Sequence, residues 1–342
     1  MTTAMLDPSL LGERVGLEAI PVIDMLPFFT GSDDSRQAVA REIGVACRNI
    51  GFFYISNHGI PQTLIDRAFA LCAEFFALSA EEKAEIAIAR SPNHRGWFAV
   101  GGENLDPSKQ KKGGDLKEGI KIGQDLPANH DLVKKGIPLH GPNQWPAHPA
   151  ELVPTMRELY YLLSNLSREL MHAFALALEL REDYFDDRLH IPMATLGPLH
   201  YPPQTGTITE NQIGAGAHSD FGALTILAQD RNGGLQVRNA AGKWINATPI
   251  PGTYVVNIGE MMARWTNDVF AATAHRVINA SGQERYSMPF FFDPSFDAEV
   301  SVLPTCQGPD NPPKYAPTTS YQHLIEMINA TFDYRHEDER EL

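Results

Sequence analysis

Apolar residues at Val39, Ile43, Ala46 and Ile50 recur at helical spacing and predict a helix over residues 35–50. Strand-like segments flank it. Ile20-Pro21-Val22-Ile23-Asp24 reads as a short opening strand, and Gly51-Phe52-Phe53-Tyr54-Ile55, aromatic and β-branched behind a glycine boundary, as a second. His58-Gly59 makes a turn, and Pro61 suits the first turn of a helix running to about Ala77. Ser79 and Glu82 have the spacing of a capping box for the next short helix. A long helix is expected over residues 151–180, with Leu159, Leu163, Leu166, Leu170, Phe174 and Leu178 on one stripe; His172 on it reads as structural or solvent-facing. From about 195 to 300 the texture changes to short strands cut by Gly, Pro and Asn turns: Leu224–Ala228, Gly234–Arg238, Tyr254–Ile258, Ala274–Ile278 and Tyr286–Phe292. Thr318 to Thr331 returns to helix.

With no internal repeat and no convincing linker, this pattern predicts one domain over residues 1–342, a mostly β core with flanking α-helices. Many short strands with turn signals point to a sandwich or jelly roll, whose core would occupy residues 195–300. Residues 91–125 break the pattern. They are rich in glycine and clustered charge, with Trp97 and Phe98 in the middle, and read as a long loop with a hairpin, a candidate lid or substrate wall.

Composition narrows the class. The chain has 342 residues, 43% of them hydrophobic, enough for a sizeable core. Its net charge of −14 disfavours nucleic acid or an anionic membrane surface as a partner. The short run Lys109, Lys111 and Lys112 reads as a solvated loop. Cys47, Cys72 and Cys306 form no CxxC pair and are expected to be reduced thiols of a cytoplasmic protein. No basic and apolar leader is recognisable, and no apolar stretch approaches the ~18 residues of a membrane span.

The candidate chemistry lies in four places. His218-Ser219-Asp220 puts an imidazole and a carboxylate two residues apart, on one side of a strand. A second histidine, His275, would complete a facial triad that leaves three octahedral positions open, the arrangement of non-heme Fe(II) oxygenases. Arg285, ten residues further on, can anchor the distal carboxylate of an acid cosubstrate through two parallel hydrogen bonds, and Ser287 on the same strand face adds a hydroxyl. Three other readings stand beside this one. The arginine could pair with an internal acid such as Glu260 or Asp268. The triad could hold a catalytic zinc, although no HExxH-like general base accompanies it. The chain could also be a metal-binding jelly-roll module without activity. The last two give Arg285 and Ser287 no role.

These residues resemble the iron- and 2-oxoglutarate-dependent dioxygenases of the isopenicillin N synthase-like superfamily, over roughly residues 20–332. Residues 20–24 and 51–60 look like the family's N-terminal region, so that 20–125 reads as an N-terminal dioxygenase region. Asp115-Leu116-Lys117-Glu118 looks like a recurring middle element. Gly233-Gly234-Leu235-Gln236-Val237, Val256-Asn257-Ile258-Gly259-Glu260, Trp265-Thr266-Asn267-Asp268 and His275-Arg276-Val277 follow in the family's order. Thymine 7-hydroxylase-like and ethylene-forming-enzyme-like members look most similar, but Ser287 and the lack of an arginine in Leu196-Gly197-Pro198 depart from the ethylene-forming pattern.

The resemblance implies that His218, Asp220 and His275 are catalytic ligands of Fe(II). Arg285, Ser287 and Tyr201 would bind 2-oxoglutarate, and Phe291 matches an aromatic that packs on substrate; Phe221 is expected beside it as a further wall of the substrate pocket. The expected reaction consumes O2, releases succinate and CO2, and hydroxylates, desaturates or cyclises a small organic molecule. Ethylene formation, or an oxidase reaction without 2-oxoglutarate as in isopenicillin N synthase itself, are the alternatives.

Overall fold

The computed structural model describes residues 5–13, 20–110 and 113–332; Lys111 and Lys112 fall outside them. Lys109, at the edge of that gap, is solvated and pairs with Glu210 at 3.3 Å. Two β-sheets form the core. The larger runs Val22–Asp24, Phe52–Ser56, Tyr254–Ile258, Leu224–Gln229, Arg285–Ser295, Pro192–Leu196, Glu118–Gly123 and Gly96–Phe98 in spatial order, with Leu199–Tyr201 pairing both Arg285–Ser295 and Glu118–Gly123. The smaller runs Trp244–Asn246, Leu235–Arg238, His275–Val277 and Ala215–His218. Together they make the expected jelly roll.

Side-chain alternation on Arg285–Ser295 explains how one strand serves two interiors. Met288, Phe290 and Phe292 enter the main hydrophobic core with the helices Asp33–Asn49, Gln62–Phe76 and Leu152–Ala177. Arg285, Ser287, Pro289, Phe291 and Asp293 face the opposite way and line a cavity between the sheets. The helices bury the stripes read from the sequence: Val39 and Ile43 on the first, Leu159, Leu163 and Leu170 on the last. The Ser79–Glu82 capping box forms with both hydrogen bonds. Cys47, Cys72 and Cys306 are free and buried, and His172 sits at the surface with Nε2 2.9 Å from Asp186.

Three expectations change. Residues 91–125 are less of a loop than their glycines suggest. Gly96–Phe98 and Glu118–Gly123 pair antiparallel and extend the large sheet, and Gly119 lets the Leu199 and Phe98 side chains pack onto its backbone, where a Cβ would lie 2.6 and 2.7 Å from them. Second, the strand expected over Tyr286–Phe292 is longer, Arg285–Ser295, and Pro289 lies within it. That proline sits where its neighbour changes from Leu199–Tyr201 to Pro192–Leu196, so the missing N–H falls at a seam, while the Pro289 carbonyl accepts the Gly197 N–H at 2.8 Å. Third, Glu260–Trp265, Pro192–Leu196 and Leu199–Tyr201 are regular elements that the hydrophobic pattern does not announce.

Candidate metal centre and its pocket

His218 ends the strand Ala215–His218, and His275 begins the antiparallel strand directly opposite it. Pairing brings the two rings to 4.3 Å between centroids. Asp220 is not on that strand. The strand stops at His218, and alternation alone does not place the carboxylate. It is held instead by the large sheet, where Thr225 Oγ1 at 2.5 Å and Asn257 Nδ2 at 2.6 Å both donate to Asp220 Oδ2. The other oxygen, Oδ1, lies 3.7 Å from His218 Nε2 and 3.6 Å from His275 Nε2.

Both ring orientations are set by backbone carbonyls. His218 Nδ1 lies 2.7 Å from the Gly216 oxygen and His275 Nδ1 3.2 Å from the Thr273 oxygen. A carbonyl only accepts, so each Nδ1 carries the proton and each Nε2 presents its lone pair to the centre. Burial, then the neighbouring His275, holds the His218 imidazole far below its ordinary pKa and therefore neutral. For Asp220 burial acts upward, but His275, His218 and the Asn257 and Thr225 donors outweigh it and keep the carboxylate ionised. One ligand atom from each of the three residues falls within 4.8 Å of the others. Two imidazoles and one carboxylate on one side are a donor set fit for a divalent first-row ion with open positions.

A buried ionic cluster supports this strand from behind. Asp115, Lys117 and Glu103 are all buried. Lys117 Nζ is 2.8 Å from Glu103 Oε2 and bonds Asp115 as well. Asp115 Oδ1 accepts the Gly216 N–H at 2.9 Å, so the residue whose carbonyl orients His218 is itself anchored. Burial disfavours Lys117's charge, but the two carboxylates outweigh it and hold the ammonium above its usual range. For Asp115 the balance reverses. Burial, helped by Glu103, outweighs Lys117 and pushes the carboxyl up.

Arg285 is 1% exposed. Its Nε donates to the Gly233 carbonyl, while Nη1 and Nη2 reach Ser287 Oγ and Gln229 Oε1 only at 3.4 Å. Its Cζ lies 4.5 Å over the ring of Tyr201, its cross-strand partner. Among the described residues no carboxylate pairs with it. The acids that could have done so are engaged elsewhere: Glu260 accepts from Ser219 Oγ at 2.5 Å, and Asp268 from Lys314 and Tyr315. The guanidinium therefore meets the cavity as a buried cation with two weakly used N–H groups, the requirement of an anion site.

The triad and Arg285, Ser287, Tyr201, Phe221 and Phe291 all line one cavity of about 170 Å³, so the residues expected to hold metal, cosubstrate and substrate meet there. Lys121, from the glycine-rich segment, joins them under Phe291, Phe98 and Phe332 at 5.4 to 5.5 Å. Thr225, Asn257, Asp115 and Asp293 were not foreseen as site residues.

Comparison with known proteins gives a consistent picture. Residues 193–294 match the family described as the 2OG-Fe(II) oxygenase superfamily, and residues 20–148 match that described as non-haem dioxygenase in morphine synthesis N-terminal. A protein of Emericella nidulans named 2-oxoglutarate-Fe(II) type oxidoreductase hxnY is 37% identical over 306 residues, 88% of this chain and 87% of that one. Homoarginine-6-hydroxylase 2-ODD-C23 of Glycine max is 35% identical, covering 92% of this chain and 97% of its own. The crystal structure of the full-length thymine 7-hydroxylase of Neurospora crassa in complex with alpha-KG and thymine has a TM-score of 0.80 at 30% identity and covers 92% of this chain and 98% of that one.

Proposed function

The chain belongs to the 2OG-Fe(II) oxygenase superfamily, and we propose that within it this protein hydroxylates a small organic molecule. Its class is that of an Fe(II)- and 2-oxoglutarate-dependent dioxygenase. Iron, 2-oxoglutarate and O2 supply the oxidation, with succinate and CO2 as co-products. In our reading His218 Nε2, His275 Nε2 and Asp220 Oδ1 hold the iron, while Thr225 and Asn257 keep Asp220 turned toward it. Arg285 and Ser287 take the far carboxylate of 2-oxoglutarate, with Tyr201 packed beneath the guanidinium. Phe221 and Phe291 form walls on the substrate side.

The observation that carries this reading is Arg285, a fully buried cation with no acid partner among the described residues, in the same cavity as the triad. A zinc hydrolase or an inert metal-binding module would leave that cation without a ligand. Hydroxylation is favoured over desaturation or cyclisation by a relative named homoarginine-6-hydroxylase. Ser287 and the missing arginine near Gly197 speak against ethylene formation. A cavity of about 170 Å³ supports a small molecule as substrate. Residues 1–342 are read as one oxygenase unit, since strands from both matched segments share the large sheet. A cytoplasmic location is supported by three free, buried thiols. The test is anaerobic addition of 2-oxoglutarate to the Fe(II)-loaded protein, followed by O2. A metal-to-ligand absorption band and then succinate are expected; neither appearing would overturn the site assignment.

A further inference from the structure

One acid in the cavity is used by neither the metal centre nor the anion site. Asp293 is 5% exposed and stands on the cavity-facing row of Arg285–Ser295, eight residues beyond Arg285. Between them on that row is Phe291, directly across from Thr225, whose hydroxyl holds Asp220. The hydroxyl that holds Asp220 thus stands across from a point between Arg285 and Asp293, and Asp293 lies beyond it from Arg285. Its Oδ1 accepts the Ala223 N–H at 2.7 Å. Gly222 packs so closely that a Cβ there would fall 1.8 Å from the same oxygen, which fixes the carboxyl's direction. Among the described residues no cation pairs with Asp293 and no second donor reaches it.

We propose that Asp293 is a specificity residue that recognises a basic nitrogen, an ammonium, amidinium or guanidinium group, on the primary substrate. The inference rests on reading this cavity as the oxygenase active site. A buried carboxyl with one hydrogen bond is costly unless a cation reaches it, and the cavity is the side left open for one. Burial raises the Asp293 carboxyl to about 7, against the Ala223 N–H and with Asp220's charge adding to the rise. A bound cation reverses that penalty. Anchoring the Phe221–Ala223 turn needs only an acceptor, which an asparagine supplies equally well. The charge is therefore free for substrate.

The test uses the full-length protein loaded with Fe(II) and 2-oxoglutarate. L-Arginine, L-homoarginine and L-lysine serve as cationic probes and L-citrulline as a neutral isostere. Two readouts are followed: perturbation of the absorption band without O2, and succinate above the substrate-free background with O2. At least one cationic probe should act in both. L-Citrulline should need a concentration at least tenfold higher. Asp293→Asn should raise the cationic probe's requirement on the order of a hundredfold or more, the scale of a stranded buried charge, while the 2-oxoglutarate requirement moves no more than about twofold. The proposal is overturned if no cationic probe acts, if L-citrulline matches them, or if Asp293→Asn leaves the cationic response unchanged. Loss of the absorption band in the unsubstituted protein would instead overturn the oxygenase reading beneath it.

Discussion

Thr225 and Asn257 lie directly across from each other on neighbouring antiparallel strands, and both donate to the same oxygen of Asp220. The large sheet therefore aims a carboxylate whose two histidine neighbours belong to the small one. This is how the jelly roll builds a three-residue centre: one sheet sets the separation of His218 and His275, and the other orients the carboxylate between them.

Removing that support should loosen the metal without abolishing the fold. Asn257→Leu is expected to lower Fe(II) affinity roughly 10- to 100-fold, the usual effect of losing a hydrogen bond behind a ligand. Asp220→Ala should abolish iron retention and turnover. Iron content after desalting, with succinate formation, checks both. Normal iron in Asp220→Ala would remove that residue from the centre.

Asp115 joins the ionic cluster to the strand of His218 through the Gly216 N–H. Asp115→Ala leaves Lys117 with Glu103 alone and strands the Gly216 N–H. The expected loss is about 1–3 kcal/mol of stability, as for a buried donor left without its acceptor. The denaturant midpoint should fall accordingly. A midpoint within experimental error of the parent would mean that water replaces the carboxylate at no cost.

His58 gives a pH dependence whose sign can be worked out. Its Nδ1 accepts the Ile60 N–H at 3.2 Å, and its ring packs edge-on against Tyr254 at 4.6 Å. Burial, opposed by a hydrogen bond to Gly252, holds its pKa below the ordinary 6.5. The unfolded chain takes up this proton at a higher pH than the folded one. Between the two values the unfolded state binds more protons, so His58 makes stability fall as pH is lowered from about 7 toward 5. His58→Asn retains an acceptor for Ile60 and cannot titrate. Its denaturation midpoint should change less over that range than the parent's. Identical pH profiles would show that His58 titrates alike in both states.

Much of this was legible along the chain because apolar spacing and the His-x-Asp, His and Arg-x-Ser series are local signals. Asn257 was the missed clue: a polar side chain inside the apolar run Tyr254–Ile258 asks for a buried partner. Asp293 was hidden differently. Alternation from Arg285 places it in the row of Phe291, but Pro289 and Pro294 make that row look broken. Only the change of neighbouring strand at Gly197 shows why the proline is tolerated. Asp115 and Lys117 could be read as an isolated motif, yet their partners Glu103 and Gly216 are brought in by long-range pairing that no local pattern contains.

Arg285 should separate cosubstrate binding from stability. In the protein without 2-oxoglutarate its charge is buried and pairs with no carboxylate among the described residues, so removing it relieves a cost. In the complex the same removal strands the cosubstrate's far carboxylate. Arg285→Met is therefore expected to leave the cosubstrate-free protein at least as stable as the parent, while 2-oxoglutarate affinity falls by about 3–5 kcal/mol, roughly a hundred- to several-thousand-fold. Arg285→Lys should restore only part of the loss, because an ammonium keeps the charge without the paired N–H geometry. Ser287→Ala should cost about 1 kcal/mol, one hydrogen bond. Iron affinity should be nearly unchanged in all three. Anaerobic titration of 2-oxoglutarate into the iron-loaded variants measures the binding, and chemical denaturation without cosubstrate measures the stability. If Arg285→Met unfolds readily while still binding 2-oxoglutarate within a few-fold of the parent, the guanidinium is a structural group held by the Gly233 carbonyl, and the cosubstrate's carboxylate binds elsewhere.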